Sequence, residues 1–484
     1  MDVVVVGLGV GGEEVAGRLA EAGLTVVGIE RTWSAASALL GVRAEQDDDP
    51  GGERAGRGAS GQRAGRVRRG AARLGAGGEA DPRRGHRHLG RQGGGGPLHR
   101  QGRPVRRGSG RLDGPNRVRV GDQVFQARYG VVLGTGTRPS VPPIDGLADT
   151  PYWTNHQAIE VEELPASLLV LGGGAIGLEL AQVFARFGVR VTVIEAADRV
   201  LAVEEPEASA LAADALRADG VEIHTGVKAG RVGHDGGAFT VYADGAEFTG
   251  RAARGDRPQG APGGAGPGNG RGGRRAALPA GQRPDARHRR DLGTTHRRGA
   301  FTHIAMYQAG IVVADVLDHM RRTKGGPDAS GTASVVGGAA GVVSAVGGAM
   351  SAGGSAAAPG SVPVADYRAL PRVTFTDPEV GAVGLTEQQA RERGVNVQIG
   401  YADLTSSARG WIHKTGNAGF IKLIADADQG VLIGATSAGP AGGEVLSALV
   451  VAVHAAVPIS QLRHMIYAYP TFHRAISDAL RALK

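Results

Sequence analysis

Two segments of this 484-residue chain carry the same rare local grammar, and together they constrain the fold more than anything else in it. The first is Val3-Val4-Val5-Val6 running into Gly7-Leu8-Gly9-Val10-Gly11-Gly12. A continuous β-branched run is what a strand buried on both faces requires, and G-x-G-x-x-G after it opens a helix. Gly7 permits the tight turn, Gly9 lets backbone approach a pyrophosphate, and Gly12 allows close packing. A helix to about Ala22 and a strand Thr25–Ile29 follow, ending in Glu30, placed to accept hydrogen bonds from a ribose diol. The pyrophosphate belongs at the helix N-terminus, where free N–H groups and the dipole favour an anion.

The unit recurs. Leu168–Leu171 reads as the strand and Gly172-Gly173-Gly174-Ala175-Ile176-Gly177 as the turn, with Gly172, Gly174 and Gly177 in the three fingerprint roles. Leu178–Phe187 reads as the helix, Val189–Ile194 as the second strand and Glu195 as its terminal acid. An acid there favours NADH and repels the 2′-phosphate of NADPH, although Arg199 close by keeps NADP(H) open. Two such sites predict two dinucleotides, a bound flavin and an exchanging nicotinamide.

Charge and cysteine narrow the field. The net charge of +8 is concentrated in two arginine-rich stretches. Residues 51–110 carry a net +12 and residues 251–300 a net +9, which leaves −13 on the rest. A spread basic face for nucleic acid is therefore not expected. There is no cysteine, hence neither a disulfide framework nor a thiolate metal site. The remaining histidines form no H-x-x-x-H or H-E-x-x-H pattern, so no metal is predicted. No apolar run reaches 18 residues and the N-terminus lacks a basic leader, so the expectation is a cytoplasmic protein without membrane contact.

Between the fingerprints lies Val131-Val132-Leu133-Gly134-Thr135-Gly136-Thr137-Arg138-Pro139, then Pro142-Pro143-Ile144-Asp145-Gly146. Further on come Thr302-His303-Ile304-Ala305 and Phe375-Thr376-Asp377-Pro378-Glu379-Val380-Gly381. In combination these resemble the class I pyridine nucleotide-disulfide oxidoreductases, the family of dihydrolipoyl dehydrogenase, glutathione reductase and mercuric reductase. The resemblance covers roughly 1–31, 108–250, 301–322 and 366–484.

It implies an α/β fold: two Rossmann-like FAD/NAD(P)-binding domains plus a C-terminal α+β dimerisation domain. The implied domains are 1–150 for FAD, 151–250 for NAD(P), 251–322 as the remainder of the FAD-binding region, a low-complexity Gly/Ala/Ser/Val insertion at 323–365, and 366–484 for dimerisation. The cofactors implied are FAD and NAD(H). The chain should be a homodimer in which 366–484 completes the partner's site, with a small-molecule electron acceptor as substrate.

The resemblance also assigns residues. Thr135, Gly136 and His303 fall at flavin-contacting positions, with a core role the alternative for His303. Glu179 matches a family glutamate near flavin and nicotinamide that pairs with a redox-loop lysine, a plain helix carboxylate being the alternative. Tyr469 stands where dihydrolipoyl dehydrogenase has its basic His, and Arg474 where a Glu orients that His. A tyrosine titrates near 10 and is a poor base at neutral pH, which argues against lipoamide and for a quinone, a metal ion or a similar acceptor. His473 could supply a proton, or simply precede a helix.

The departures coincide with the arginine-rich stretches. The family's Cys-x4-Cys pair and second ATG-type strand should lie within 32–107 and 251–300, and neither is present. Codons for Arg251–Gln259, advanced one base, permit x-Glu-Leu-Leu-Val-Ala-Thr-Gly-Arg. Codons for Thr32–Ala38 and Ala38–Pro50, advanced two and one, permit a Cys-x4-Cys loop. The expectation is that frameshifts have overwritten both segments. The other reading is a real Arg/Gly-rich disordered insertion binding RNA, but neither 51–110 nor 251–300 holds an aromatic residue for base stacking.

Overall fold

The computed structural model describes residues 1–31, 105–137, 139, 141–251, 301–324 and 365–484. Both arginine-rich stretches, with the frameshift expectation and the 323–365 insertion, lie outside these residues apart from 105–110, 251 and the insertion's ends. The described residues fall in two units, one of Met1–Thr137 with the helix Thr302–Lys324, the other of residues 141–251 with 366–484. The expected nicotinamide and dimerisation domains thus belong to a single unit.

In the first unit β1 (Val3–Val6) pairs in parallel with β2 (Val26–Glu30) on one side and β7 (Gly130–Leu133) on the other. β3 (Val105–Arg107) extends the sheet beyond β2, giving the order β3-β2-β1-β7. Alternation across the pleat divides the four-valine strand between two cores. Val3 and Val5 pack with Val15 and Leu19 of the helix Val10–Glu21 and with Val312 and Val316 of Thr302–Lys324. Val4 faces the other way, towards Val118 and Phe125 of a small antiparallel sheet, β4 (Arg111–Leu112), β5 (Arg117–Val120) and β6 (Gln123–Gln126). A strand covered on both faces can be apolar throughout, which is why it reads as an unbroken run.

The second unit repeats the plan. β8 (Ser167–Leu171), β9 (Arg190–Ile194) and β10 (Glu222–His224) are parallel, with the helix Ala175–Arg186 crossing from β8 to β9. An antiparallel meander, β11 (Ala229–His234), β12 (Ala238–Ala243) and β13 (Ala246–Arg251), packs Val232, Val241 and Phe239 against Leu169, Leu171 and Ile194. Sequence reading did not resolve this meander, yet its signal is local. Asp244 and Gly245 join β12 to β13 with both φ values positive (47° and 82°), the Asp-Gly pattern of a type I′ hairpin.

The C-terminal part is a five-stranded antiparallel sheet: β14 (Pro371–Thr374), β15 (Glu379–Gly384), β16 (Val397–Asp403), β17 (Phe420–Asp426) and β18 (Val431–Gly439), in the order β14-β15-β18-β17-β16. The helices Gly442–His454 and Arg474–Arg481 cover it with Leu446, Leu449, Ile476 and Leu480. The hydrophobic pattern of residues 366–484 predicts strands near Val373–Phe375 and Gly419–Ile424 and helices near Glu444–Val457 and Phe472–Leu483. The structure keeps all four and moves each end by one to three residues. Ends shift because caps and tertiary contacts, not periodicity, decide where an element stops.

Candidate functional site: two glycine-rich nucleotide cradles

At the first fingerprint, Gly7 has φ +91° and a Cβ there would overlap the Gly134 carbonyl. A Cβ on Gly12 would overlap the carbonyl of Gly7, and one on Gly134 would lie 3.2 Å from the Gly12 Cα. These glycines exist so that three backbone segments can touch. Gly9 is different: a Cβ there meets nothing within 4 Å, and Gly9 caps the helix Val10–Glu21 with no side-chain partner for the helix N–H groups. Open space over free donors at a positive helix end is what a pyrophosphate needs.

Thr135 and the left-handed Gly136 (φ 64°) follow Gly134 and are exposed beside this turn. His303 stacks on Phe301 at the start of the long helix, ring centroids 5.2 Å apart and planes 17° apart.

The second fingerprint is built the same way. Gly172 has φ +103°, a Cβ on Gly177 would press on the Gly172 carbonyl at 2.6 Å, and Gly174 caps the helix facing open space. The terminal acids reveal a feature that the spacing did not. Glu30 Oε2 accepts the N–H of Leu8 at 2.7 Å, and Glu195 Oε2 accepts the N–H of Gly173 at 2.5 Å. Leu8 and Gly173 are the same position, the residue between the first two glycines. Each acid also accepts a second N–H close to itself, Arg31 at 2.8 Å for Glu30 and Ala197 at 2.6 Å for Glu195. Each carboxylate therefore braces its own turn, holding the residue between the first two glycines.

Arg199 points elsewhere: its guanidinium bonds the carbonyl of Ala202 at 3.0 Å and Asp198 at 3.4 Å.

Glu179 lies two residues past Gly177 and accepts the N–H of Phe375 at 2.8 Å. The redox-loop lysine that the resemblance implies as its partner is absent: residues 32–50, where it would fall, contain no lysine and lie outside the described residues. Tyr469 is 73% exposed, and His473 immediately precedes the helix Arg474–Arg481. Among the described residues, no hydrogen bond or ion pair joins Tyr469 or His473 to Glu179.

Sequence reasoning missed the roles of Gly134, which closes the first turn, and of Gln182 and Arg186, which lie on the same helix as Glu179 and both bond Asp219. It also missed Glu13, whose buried carboxylate oxygens have no hydrogen-bond partner in the described residues. Burial, and secondarily Glu14, push its pKa up.

Two parallel units, each with a cradle, an anchored acid and a covering meander, define a two-dinucleotide oxidoreductase fold. The chain belongs to the pyridine nucleotide-disulphide oxidoreductase family: residues 1–253 match the family's model, and 370–480 match that of its dimerisation domain. The recognition from the sequence motifs is thereby confirmed, with the α/β class and the oxidoreductase character.

The mercuric reductase of Streptomyces lividans is 32% identical over 358 residues, spanning 72% of this chain and 66% of that protein. The dihydrolipoyl dehydrogenase of Thermus scotoductus is 28% identical over 382 residues, 78% of this chain and 74% of its own. The chain thus spans about two thirds to three quarters of the length of these relatives. In three dimensions it resembles the HOCl-induced flavoprotein disulfide reductase RclA of Escherichia coli, with a TM-score of 0.63, 20% identity and full coverage of both chains. Among the described residues, no helix is long and apolar enough to cross a membrane.

Proposed function

We propose that this chain is an FAD-dependent NAD(P)H oxidoreductase that passes a hydride from the nicotinamide to the flavin and on to a disulfide, a quinone or a similar small acceptor. The observation that carries this is the pair of cradles, each with its middle glycine open and its acid anchored. Gly7, Gly9 and Gly12 with Glu30, Thr135, Gly136 and His303 would hold the flavin nucleotide. Gly172, Gly174, Gly177 and Glu195 would hold the nicotinamide nucleotide. The flavin supplies the two-electron relay between donor and acceptor.

The chain's own groups do the binding. Helix N–H groups would bond phosphate oxygens, and the carboxylates of Glu30 and Glu195 would accept ribose hydroxyls. NADH is favoured over NADPH, because Glu195 would repel a 2′-phosphate and Arg199 is already bonded to Ala202 and Asp198. Glu179, its carboxylate held by the Phe375 N–H, would lie beside the nicotinamide.

Tyr469 and His473 belong to the acceptor side, donated to a second copy's site. Exposed Trp411, Ile466 and Tyr469 on the dimerisation domain support that homodimer, because so much exposed apolar surface is normally covered.

With no cysteine in the chain, no thiol can relay electrons, which favours an acceptor reduced directly, such as a quinone. Purified protein should show the visible absorption of bound flavin and oxidise NADH with a quinone. A colourless product that binds NADH alone would leave only a nucleotide-binding remnant of a frameshifted gene. High-accuracy resequencing of codons 31–110 and 250–300 decides whether the frame is real.

A further inference from the structure

The helix Ala175–Arg186 does more than present its N-terminus. Glu179, Gln182 and Arg186 recur at i, i+3 and i+7, which puts them on one helix face. All three hold the same short segment, Phe375–Asp377: Glu179 and Gln182 through its backbone, Arg186 through the Asp377 carboxylate.

Gln182 is the centre of the grip, and it is only 4% exposed. Its Nε2 donates to the carbonyl of Asp377 at 2.9 Å and to the carboxylate of Asp219 at 2.8 Å. Its Oε1 accepts the N–H of Asp377 at 2.7 Å. The amide cannot be turned round, since that would set NH2 against N–H and oxygen against a carbonyl and a carboxylate. Arg186 adds an outer anchor, bonding the carboxylates of Asp377 and Asp219 at 2.9 Å each. Burial alone would lower the arginine's pKa, but its bonds to Asp377 and Asp219 raise it.

Two residues before Asp377, the Phe375 N–H reaches Glu179 Oε1 at 2.8 Å. The Phe375 side chain is 69% exposed, so its ring does not hold that backbone in place. The segment is held on one side by the pairing of Thr374 with Val380 and on the other by Asp377 and the buried Thr376, whose hydroxyl donates to the Pro378 carbonyl.

We infer that Gln182, backed by Arg186, is the positioning residue for Glu179: it fixes Asp377, which fixes the Phe375 N–H, which orients the carboxylate. The inference rests on the reading of Glu179 as the carboxylate beside the nicotinamide. A glutamate has three rotatable bonds, and one directed hydrogen bond removes much of the freedom it would otherwise lose on meeting a ligand.

The test is the NADH dissociation constant, read by nicotinamide fluorescence on the full chain, with deuterium exchange of the Phe375 amide as a second readout. Gln182→Ala should weaken NADH about three- to tenfold and speed exchange at Phe375. Placed in a Glu179→Ala background it should add no further loss, because a positioning residue acts only through what it positions. Arg186→Met, at a half-exposed site where folding is not at risk, should change both readouts in the same direction by less. Equal losses with and without Glu179, or an unchanged Phe375 amide, would overturn the inference. If Glu179→Ala itself leaves NADH binding untouched, the nicotinamide reading of Glu179 fails, while the exchange rate still decides whether Gln182 holds the segment.

Discussion

Each fingerprint assigns its glycines unequal tasks, and substitution should separate them. At Gly7 an alanine faces both a left-handed φ and the Gly134 carbonyl. Gly7→Ala should therefore cost the fold on the order of 2 kcal/mol or more, seen as a lower denaturation midpoint. Gly174 has open space around it. Gly174→Val should leave thermal stability within about 0.5 kcal/mol of wild type yet weaken NADH severely, because the added methyls stand where the phosphates approach.

Glu13 offers a third residue-level prediction. Burial raises its folded pKa, so its contribution is intact below the unfolded value of about 4.3 and declines as pH rises through the folded one. Glu13→Gln should raise the melting temperature at pH 7 and lose that advantage near pH 4. Equal gains at both pH values would mean that ionisation is not the cause.

Elements were legible where one local rule governs them. The β1 and β8 units could be read because strand, glycine turn, helix and acid follow one another within about thirty residues. The β11–β13 meander was equally local, through Asp244-Gly245, and went unread because its strands carry polar and small residues. Gly230 and Gly233, for instance, break the alternation of β11. Gly245→Ala tests the turn's importance: at φ 82° an alanine should cost about 1–2 kcal/mol in urea unfolding, without touching either cradle.

The terminal acids show the limit of such reading. Spacing located Glu30 and Glu195, but only the folded turn shows that each carboxylate also closes its own glycine loop.

Within the second unit, an ionic network ties the segment Glu204–Glu207, which follows β9, to the C-terminal sheet. Lys422, 4% exposed at its side chain, meets Glu205, Glu207 and Glu387 at 2.8–2.9 Å, and Arg372 pairs with the buried Glu204. Burial alone would lower the lysine's pKa, but the hydrogen bonds it donates to Glu207, Glu387 and Glu205 hold it above the ordinary range. Lys422 holds the Glu387 pKa below the usual carboxylate value by hydrogen bonding, with help from Arg391. The lysine's contribution is therefore complete below about pH 10.4 and fades above it. That of Glu387 is present above about pH 4.3 and is lost as pH falls further.

Lys422→Met should destabilise this unit by about 3–5 kcal/mol at pH 7, since it strands the buried Glu205. The deficit should shrink in acid as the carboxylates protonate. A deficit that stays constant from pH 7 to 3 would rule out a charge-based origin.

What the sequence determined by itself is chemistry confined to neighbours: two glycine turns, the acids that end their strands, the absence of any thiol, and two segments whose composition departs from everything around them. The tertiary structure decided the rest. Gln182 meets Asp377 from 195 residues away, and Lys422 meets Glu205 from 217. No local period encodes such pairs. They form because burial removes water from polar groups, and a buried donor or acceptor must then find its partner wherever the fold has brought one.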